Sequence, residues 1–265
     1  MNVRDGYAGL LWLQLRTSFS LALQYRADFL TDGLVEVFWT VTTLAPIFVL
    51  YGHRTEVAGW SYGEMLLVTA FFTLLQAVLE GAINPSMTLV VEQIRQGTFD
   101  FVLLKPKDAQ FLVTTARVLP WRALNVVTAG VLVAVGFSKL GRAPALLDAG
   151  MACLFFAASL AILQSLWMLS VCLAFYVVKV DNLTFLFGAI FDAARWPSSI
   201  FKGALRLVFT FVIPLAIMTT FPAEALLGRA SLGKLVAALA TATAAVLASR
   251  AAWKRALSSY TSASS

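Results

Sequence analysis

Residues 64–108 read EMLLVTAFFTLLQAVLEGAINPSMTLVVEQIRQGTFDFVLLKPKD, a long apolar run that changes abruptly to a polar one. The apolar part, 64–91, is longer than the about 20 residues that a helix needs to cross the hydrocarbon core of a bilayer. The polar part, 92–108, belongs in water because charged side chains crowd it: Glu92, Arg95, Asp100, Lys105, Lys107 and Asp108. The stretch therefore predicts a membrane-spanning helix that ends in a solvent-exposed loop, where a soluble partner can bind.

The composition extends this prediction to the whole chain. Of its 265 residues, 60% are hydrophobic and only 13% are charged, whereas soluble domains carry about 25% charged residues. We therefore expect an all-α polytopic membrane protein. The net charge of +6 does not indicate nucleic-acid binding, because Lys and Arg stand mainly at the ends of apolar runs, where they set topology and contact lipid headgroups.

Apolar runs predict about six spans, at residues 30–51, 64–91, 113–138, 149–177, 183–194 and 233–252. Residues 1–29 are apolar but punctuated by polar side chains, so we expect an N-terminal amphipathic helix in the cytoplasmic membrane interface. The transmembrane domain then covers 30–252, and 253–265 form a cytoplasmic tail. Both termini are assigned to the cytoplasm because this places the larger share of Lys and Arg there.

Residues 195–228 interrupt the regular succession of spans. Pro197, Pro214 and Pro222 divide this region into apolar runs that are individually short for a crossing. Proline breaks a helix, and a broken backbone at membrane depth requires burial in protein or a water-filled cavity. We therefore predict a re-entrant segment before the last span, with the three prolines in structural roles.

Two predicted helix faces carry polar side chains at four-residue spacing: Gln76, Glu80, Asn84 and Thr88 in the second span, Asp32 and Glu36 in the first. We predict Glu80 near the middle of its span, where a carboxylate must face protein or water. These faces indicate a translocation path or a subunit seam. The alternatives are a purely structural hydrogen-bond network around Glu80 and an interfacial role for the two acidic residues of the first span.

The chain has no signature of an enzyme acting alone. It contains no glycine-rich nucleotide-binding loop, no nucleophile elbow and no spaced Cys/His metal set. Cys153 and Cys172 lie about 28 Å apart along one predicted helix, so they cannot form a disulfide with each other. We expect a non-catalytic chain without a cofactor of its own.

Two passages resemble the permeases of type-2 ABC exporters. One is IRQGTFDFVLLKPKD at 94–108, and the other is ARWPSSIF followed by RLVFTFVIPLAIMTTFPAEALLG, at 194–228. With the layout of spans, the resemblance covers about residues 10–255. It implies a permease subunit in a bacterial cytoplasmic (inner) membrane, powered by a separate ATPase. The aliphatic and aromatic spans suit export of an amphipathic, lipid-linked, peptide or drug-like cargo.

The resemblance also implies partners. These are two copies of an ABC ATPase, which bind the ATP and Mg, and a second permease chain, either a different sister permease or an identical copy. The loop after the second span would couple to the ATPase through Glu92, Gln93, Arg95, Gln96, Gly97, Thr98, Phe99 and Asp100. Phe99 is the expected aromatic anchor on that partner. The loop could instead be a plain solvated connector.

Two other classes of function stay open from the sequence. One is a secondary transporter or channel that uses Glu80 as an ion or proton site. The other is a membrane anchor that presents 92–108 to a partner without transport. Membrane lipids are expected contacts in every case, and nucleic acid is not.

Overall fold

The computed structural model describes residues 6–24, 26–176, 188–203, 205, 208–209 and 214–260. Its N-terminal part contains two long helices, a short hairpin and a further long helix with a distorted turn. These elements are α1 (Tyr7–Gln24), α2 (Arg26–His53), β1 (Glu56–Val57) paired antiparallel with β2 (Trp60–Ser61), α3 (Tyr62–Val78), a π-helical turn (Leu79–Ile83) and α4 (Asn84–Arg95). The π turn joins α3 to α4 without interrupting the helix.

Short elements then lead into two long helices and, after a region of broken helix, a last long helix. They are α5 (Asp100–Leu103), α6 (Ala109–Thr114), a 3-10 turn (Pro120–Arg122), α7 (Ala123–Leu140) and α8 (Leu146–Leu173). Next come 3-10 turns at Ala193–Arg195 and Ser198–Ile200, a second π turn (Ala216–Thr220), α9 (Phe221–Leu226) and α10 (Leu232–Ser258).

Among the described residues, five helices are long and apolar enough to cross a membrane: Thr31–His53, Tyr62–Arg95, Pro120–Leu140, Leu146–Leu173 and Leu232–Ser258. The chain is thus an all-α polytopic membrane protein, as predicted. The predicted span at 183–194 lies partly outside the described residues. The predicted third span, 113–138, starts too early, because Thr115–Leu119 are not helical and α7 begins only at Ala123.

Helix α3 forms the centre of the molecule. Nearly all of its side chains from Met65 to Leu75 are buried, since α7, α8 and the region around α9 all pack against it. Its contact with α7 is especially close. A Cβ added to Gly63 would lie 2.9 Å from the carbonyl oxygen of Gly136, and a Cβ added to Gly136 would lie 2.9 Å from that of Gly63. Small residues allow this close approach of two backbones in a membrane protein.

The three predicted structural prolines stand at element boundaries. Pro197 directly precedes the 3-10 turn at Ser198–Ile200, and Pro214 precedes the second π turn. Pro222 occupies the first turn of α9, where an amide hydrogen is not needed. All three are buried, so this broken backbone is enclosed by protein.

Side chains from neighbouring elements satisfy backbone carbonyls in this region. The Thr219 hydroxyl donates to the carbonyl of Ala194 at 2.8 Å, and the Ser159 hydroxyl donates to that of Ile217 at 3.0 Å. Buried carbonyls that lack a helical partner need such donors. Buried serine and threonine thus stabilise a short, irregular segment between α8 and α10.

Candidate functional site

A cavity of about 790 Å³ lies beside the π turn and α4. Gln76, Glu80, Asn84 and Thr88 all line it. The structure therefore brings the four polar residues of the predicted stripe together on one wall. Glu92 and Arg95 lie at the end of the same wall, so the cavity runs along the helix to the start of the polar loop.

The opposite wall is largely apolar and aromatic. Trp167 of α8 and Phe191 line the cavity there, with their ring centroids 6.3 Å apart. Phe72, one helical turn before Gln76, is fully buried and stacks on Phe191, with the two ring centroids 5.3 Å apart. These rings pack together next to the Gln76 end of the cavity. The result is a compartment with one polar wall, one aromatic wall and charged residues near the loop.

A chain of hydrogen bonds holds the polar wall in place. The indole nitrogen of Trp167 donates to the Asn84 side-chain oxygen at 2.5 Å, and the Asn84 amide donates to Oε1 of Glu80 at 3.1 Å. Nη2 of Arg122 lies 3.9 Å from Oε2 of Glu80. The Glu80 carboxylate thus has a hydrogen-bond donor on one oxygen and a cation near the other.

The π turn explains how Arg122 reaches Glu80. A wider turn leaves carbonyl groups free of the regular helical ladder, and the Gly81 carbonyl accepts a hydrogen bond from the backbone nitrogen of Leu119 at 2.7 Å. A Cβ at Gly81 would lie 3.1 Å from the Cβ of Arg122. Glycine therefore allows the entry to α7 to dock directly on the π turn.

Arg122 also binds the predicted acidic face of α2. It forms an ion pair with Glu36 through Nη1, and the Asn125 amide donates to the other oxygen of Glu36 at 2.6 Å. Glu36 is buried against α7 and does not line the large cavity. Asp32, one turn earlier, is half-buried and does not line it either. Glu36 and Gln76, one from each predicted polar face, both line a second, small cavity between α2, α3 and α7.

Glu80 lies near the midpoint of the long helix Tyr62–Arg95. The apolar helix before the π turn, Tyr62–Val78, has 17 residues and rises about 1.5 Å per residue, which is close to the about 30 Å of a hydrocarbon core. Glu80 follows this apolar run directly, in the π turn that joins it to α4. Arg122 lies beside Glu80, immediately before α7.

The predicted coupling loop begins with a defined helix end. Gly97 adopts φ 71°, the left-handed conformation that glycine reaches without a side-chain clash. The backbone nitrogen of Thr98 donates to the Gln93 carbonyl at 2.9 Å, and that of Gly97 to the Ile94 carbonyl at 3.3 Å. These two bonds form a Schellman motif. The loop direction is therefore fixed relative to α4.

Phe99 points into its own chain. Its side chain is 0% exposed and packs edge-on against Phe175, Trp253 and Tyr260. This burial corrects the prediction of an outward-facing aromatic anchor at Phe99. Phe101, which is 69% exposed, and Leu104, which is 79% exposed, project instead. The sequence signal that could have identified these two residues is the apolar run FVLL at 101–104, which stands among charged residues. The prediction assigned no role to this run.

The remaining residues of the predicted coupling set have mixed exposure. Glu92, Arg95 and Gln96 are exposed, whereas Gln93, Gly97, Thr98 and Asp100 are partly buried. The Gln96 amide donates to the Glu92 carboxylate at 2.9 Å. At the far end of the loop, the ion pair with Arg250 lowers the pKa of Asp108. The loop thus presents a short ordered surface that combines charges with two apolar side chains.

Comparison with known proteins identifies the family. A sequence model of the ABC-2 family transporter proteins matches residues 37–264 of the chain. No curated protein and no solved structure matches it. The matched region includes the cavity, the polar loop and α10. The chain therefore belongs to the ABC-2 transporter family and is a transmembrane subunit of an ABC transporter, a kind of subunit that associates with an ABC ATPase.

Proposed function

We propose that this permease exports an amphipathic cargo and is powered by an ATPase that docks on residues 92–108. The observation that carries the proposal is the continuity of one helix. The polar wall of the cavity and the start of the docking loop belong to the same uninterrupted segment, Tyr62–Arg95. A displacement of the loop is therefore transmitted directly to the cavity wall through this helix.

The exposed side chains of the loop support ATPase docking. Phe101 and Leu104 are large, apolar and mostly exposed, and they lie among the charged residues that exclude this segment from lipid. An aromatic or aliphatic anchor surrounded by polar groups is a common arrangement at the centre of a protein interface. We propose that these two side chains enter a groove of the ATPase, while Glu92, Arg95 and Gln96 contact its rim.

Co-purification tests the docking proposal. The permease is expressed together with an ABC ATPase from the same organism, and the ATPase recovered per permease is measured. Replacing Phe101 and Leu104 by Ala should reduce that ratio about ten-fold or more, because hot-spot side chains contribute about 2 kcal/mol or more each. The matched control replaces Leu146 and Leu147, which are 91% and 76% exposed at the start of α8, and should leave the ratio unchanged.

The docking proposal is wrong if both double variants retain the ATPase equally. It is also wrong if the parent permease recovers no ATPase at all. Equal losses in both variants would point to a general effect of removing exposed apolar side chains.

The lining of the cavity supports an amphipathic cargo. Polar groups on the Gln76–Thr88 wall can hydrogen-bond to a headgroup, while Trp167 and Phe191 offer aromatic surface to an apolar part. Three carboxylates, those of Glu80, Glu92 and Asp192, line the cavity against one cation, Arg95, so the lining as a whole favours a cargo with positive charge. We propose entry from the cytoplasmic side, past Glu92 and Arg95, since the aromatic rings of Phe72 and Phe191 pack together next to the other end.

Dye binding tests the cargo class. Ethidium, a cationic amphipath, should increase in fluorescence when the purified permease is added. Thr88→Trp places a large ring on the exposed cavity wall and should weaken this binding about ten-fold, since it removes space that the dye needs. Thr243→Trp, at an exposed position on α10, is the control. If neither ethidium nor a dansylated lipid binds, or if Thr88→Trp binds as well as the parent, the proposed cargo site is wrong.

The hydrogen bonding of Glu80 favours this proposal over ion-coupled transport. Asn84 and Arg122 already contact both oxygens of the carboxylate. A transported ion that bound at Glu80 would have to displace these contacts. Glu80→Gln should therefore leave ATP-driven transport largely intact. Complete loss of transport without loss of ATPase binding would favour the ion-site alternative.

The complete transporter that we propose contains further subunits. Two ATPase copies bind ATP and Mg, and a second permease, either a sister chain or an identical copy, forms the other half of the path. The long apolar surface of α2, which includes the exposed Leu34, Phe38 and Phe48, is available to lipid. We propose location in a bacterial inner membrane with both termini in the cytoplasm.

A further inference from the structure

The proposed docking surface is attached at both ends to the last helix, α10. Phe99 lies just before the exposed Phe101 and Leu104, and Asp108 lies just after them. Phe99 contacts Trp253 and Tyr260, and Asp108 contacts Arg250. The loop and the end of α10, which are distant in sequence, are therefore in contact on both sides of the surface that would receive the ATPase.

The first attachment is a cluster of four aromatic rings. Phe99, Phe175, Trp253 and Tyr260 have centroid separations of 5.5–6.1 Å and nearly perpendicular ring planes. Perpendicular aromatic pairs are a favourable arrangement. Phe99 is fully buried and Trp253 is 2% exposed. The start of the docking surface is thus enclosed by side chains from α10 and from the end of α8.

The second attachment is a bidentate ion pair. Nη1 of Arg250 donates to Oδ1 of Asp108 at 3.0 Å and to the Gln110 side-chain oxygen at 2.5 Å. Nη2 donates to the other Asp108 oxygen. The same carboxylate also caps α6, since Oδ1 accepts the backbone N–H of Phe111 at 3.0 Å. A two-point guanidinium contact fixes orientation as well as distance.

We infer that the docking surface and the end of α10 form one mechanical unit, and that Asp108 and Arg250 are positioning residues within it. This inference rests on the proposed docking of an ATPase. Movement of the loop would then reach the membrane by two routes. One is α4, which carries the polar wall; the other is α10, which packs along α8. Because Trp167 of α8 belongs to the other cavity wall, both walls receive the displacement.

The test measures two quantities on the permease–ATPase complex. They are the amount of ATPase bound per permease and the ATP turnover per bound ATPase in lipid vesicles. Arg250→Ala and Asp108→Asn should each keep ATPase binding but lower turnover about five-fold or more, a typical coupling effect. Asn retains the ability to cap a helix, so Asp108→Asn removes the charge without removing the cap. Arg250→Lys should retain an intermediate rate.

The double variant and a control separate coupling from stability. If the two residues act as a pair, the double variant should lose no more turnover than either single variant. Lys234→Ala breaks a comparable ion pair, with Glu224, at the opposite end of α10 and should leave turnover unchanged. Thermal midpoints in detergent check that all variants are folded.

Each outcome bears on the inference. Normal turnover in Arg250→Ala and Asp108→Asn overturns it, as does an equal loss in Lys234→Ala. Additive losses in the double variant also overturn it, because they show independent effects. Absence of ATPase from the parent complex contradicts the proposed docking itself and is therefore distinguishable from failure of the mechanical link.

Discussion

Phe99 and Phe101 are two residues apart but have opposite surroundings. Phe99 is enclosed by three rings from two other parts of the chain, whereas Phe101 is exposed. The left-handed Gly97 and the Schellman motif before them set the direction of the chain. The functional difference between the two phenylalanines therefore comes from the geometry of the preceding helix end.

Substituting these two residues should give contrasting results. Phe99→Ala removes a fully buried ring and should lower the free energy of unfolding by about 3–5 kcal/mol. Phe101→Ala should change it by less than about 0.5 kcal/mol, as is usual for an exposed side chain. Thermal midpoints of the purified permease in detergent provide the comparison. Similar midpoints for the two variants would show that Phe99 is not enclosed as described.

Some residue roles could be read from the sequence and others could not. Four-residue spacing places side chains on one helix face, so Gln76, Glu80, Asn84 and Thr88 were grouped correctly on one wall. The contacts of this wall with other elements were not predictable, because Arg122 reaches Glu80, and Trp167 reaches Asn84, only through tertiary packing. The inward orientation of Phe99 also depends on α8 and α10, which the local sequence does not reveal.

At the scale of elements, the contact between α3 and α7 depends on two glycines. Gly63 and Gly136 leave no room for side chains on either helix. Without a hydrophobic driving force between helices in lipid, close packing supplies much of their association. The position of α7, and with it that of Arg122 beside Glu80, therefore depends on this contact.

Adding one methyl group tests this dependence. Gly136→Ala should force the helices apart and destabilise the permease by about 1–3 kcal/mol, the usual effect of overpacking. Gly130→Ala is the matched control on the same helix, because a Cβ there meets nothing within 4 Å. Detergent-solubilised variants can be compared by thermal unfolding. Equal midpoints for Gly136→Ala and the parent would contradict the close crossing.

Sequence analysis of the elements was reliable where apolar length decided the outcome. Thr31–His53, Leu146–Leu173 and Leu232–Ser258 correspond to predicted spans because their runs are long and nearly uncharged. The start of the third span was wrong because Thr115–Leu119, which joins apolar runs on either side, is not helical. Instead, the backbone nitrogen of Leu119 donates to the Gly81 carbonyl in the π turn. A hydropathy pattern does not detect such a contact between two segments.

At the scale of the whole molecule, polar side chains and ion pairs gather at the two ends of the bundle. One end contains the docking loop with the Asp108–Arg250 pair. The other contains the hairpin β1–β2, whose Trp60 donates to Ser199 at 3.1 Å, and the Glu224–Lys234 pair. The segment between α8 and α10 thus meets the hairpin at the end opposite to the docking loop.

Cysteine labelling tests this arrangement in intact cells. In a background without Cys153 and Cys172, cysteines at Lys202 and Leu232, both exposed, should react with a membrane-impermeant maleimide added outside. A cysteine at Lys105, also exposed, should react only after the membrane is permeabilised. Labelling of either outer position only after permeabilisation would require a different topology.

The π turn at Leu79–Ile83 also determines how the polar stripe is aligned. In a regular helix of 3.6 residues per turn, side chains spaced by four residues rotate by about 40° at each step. The π turn takes in one extra residue, so it rotates the following residues backwards and realigns Asn84 and Thr88 with Gln76. Loss of a single residue from this turn would rotate α4 by about 100°, carry both side chains off the cavity wall and point the docking loop elsewhere.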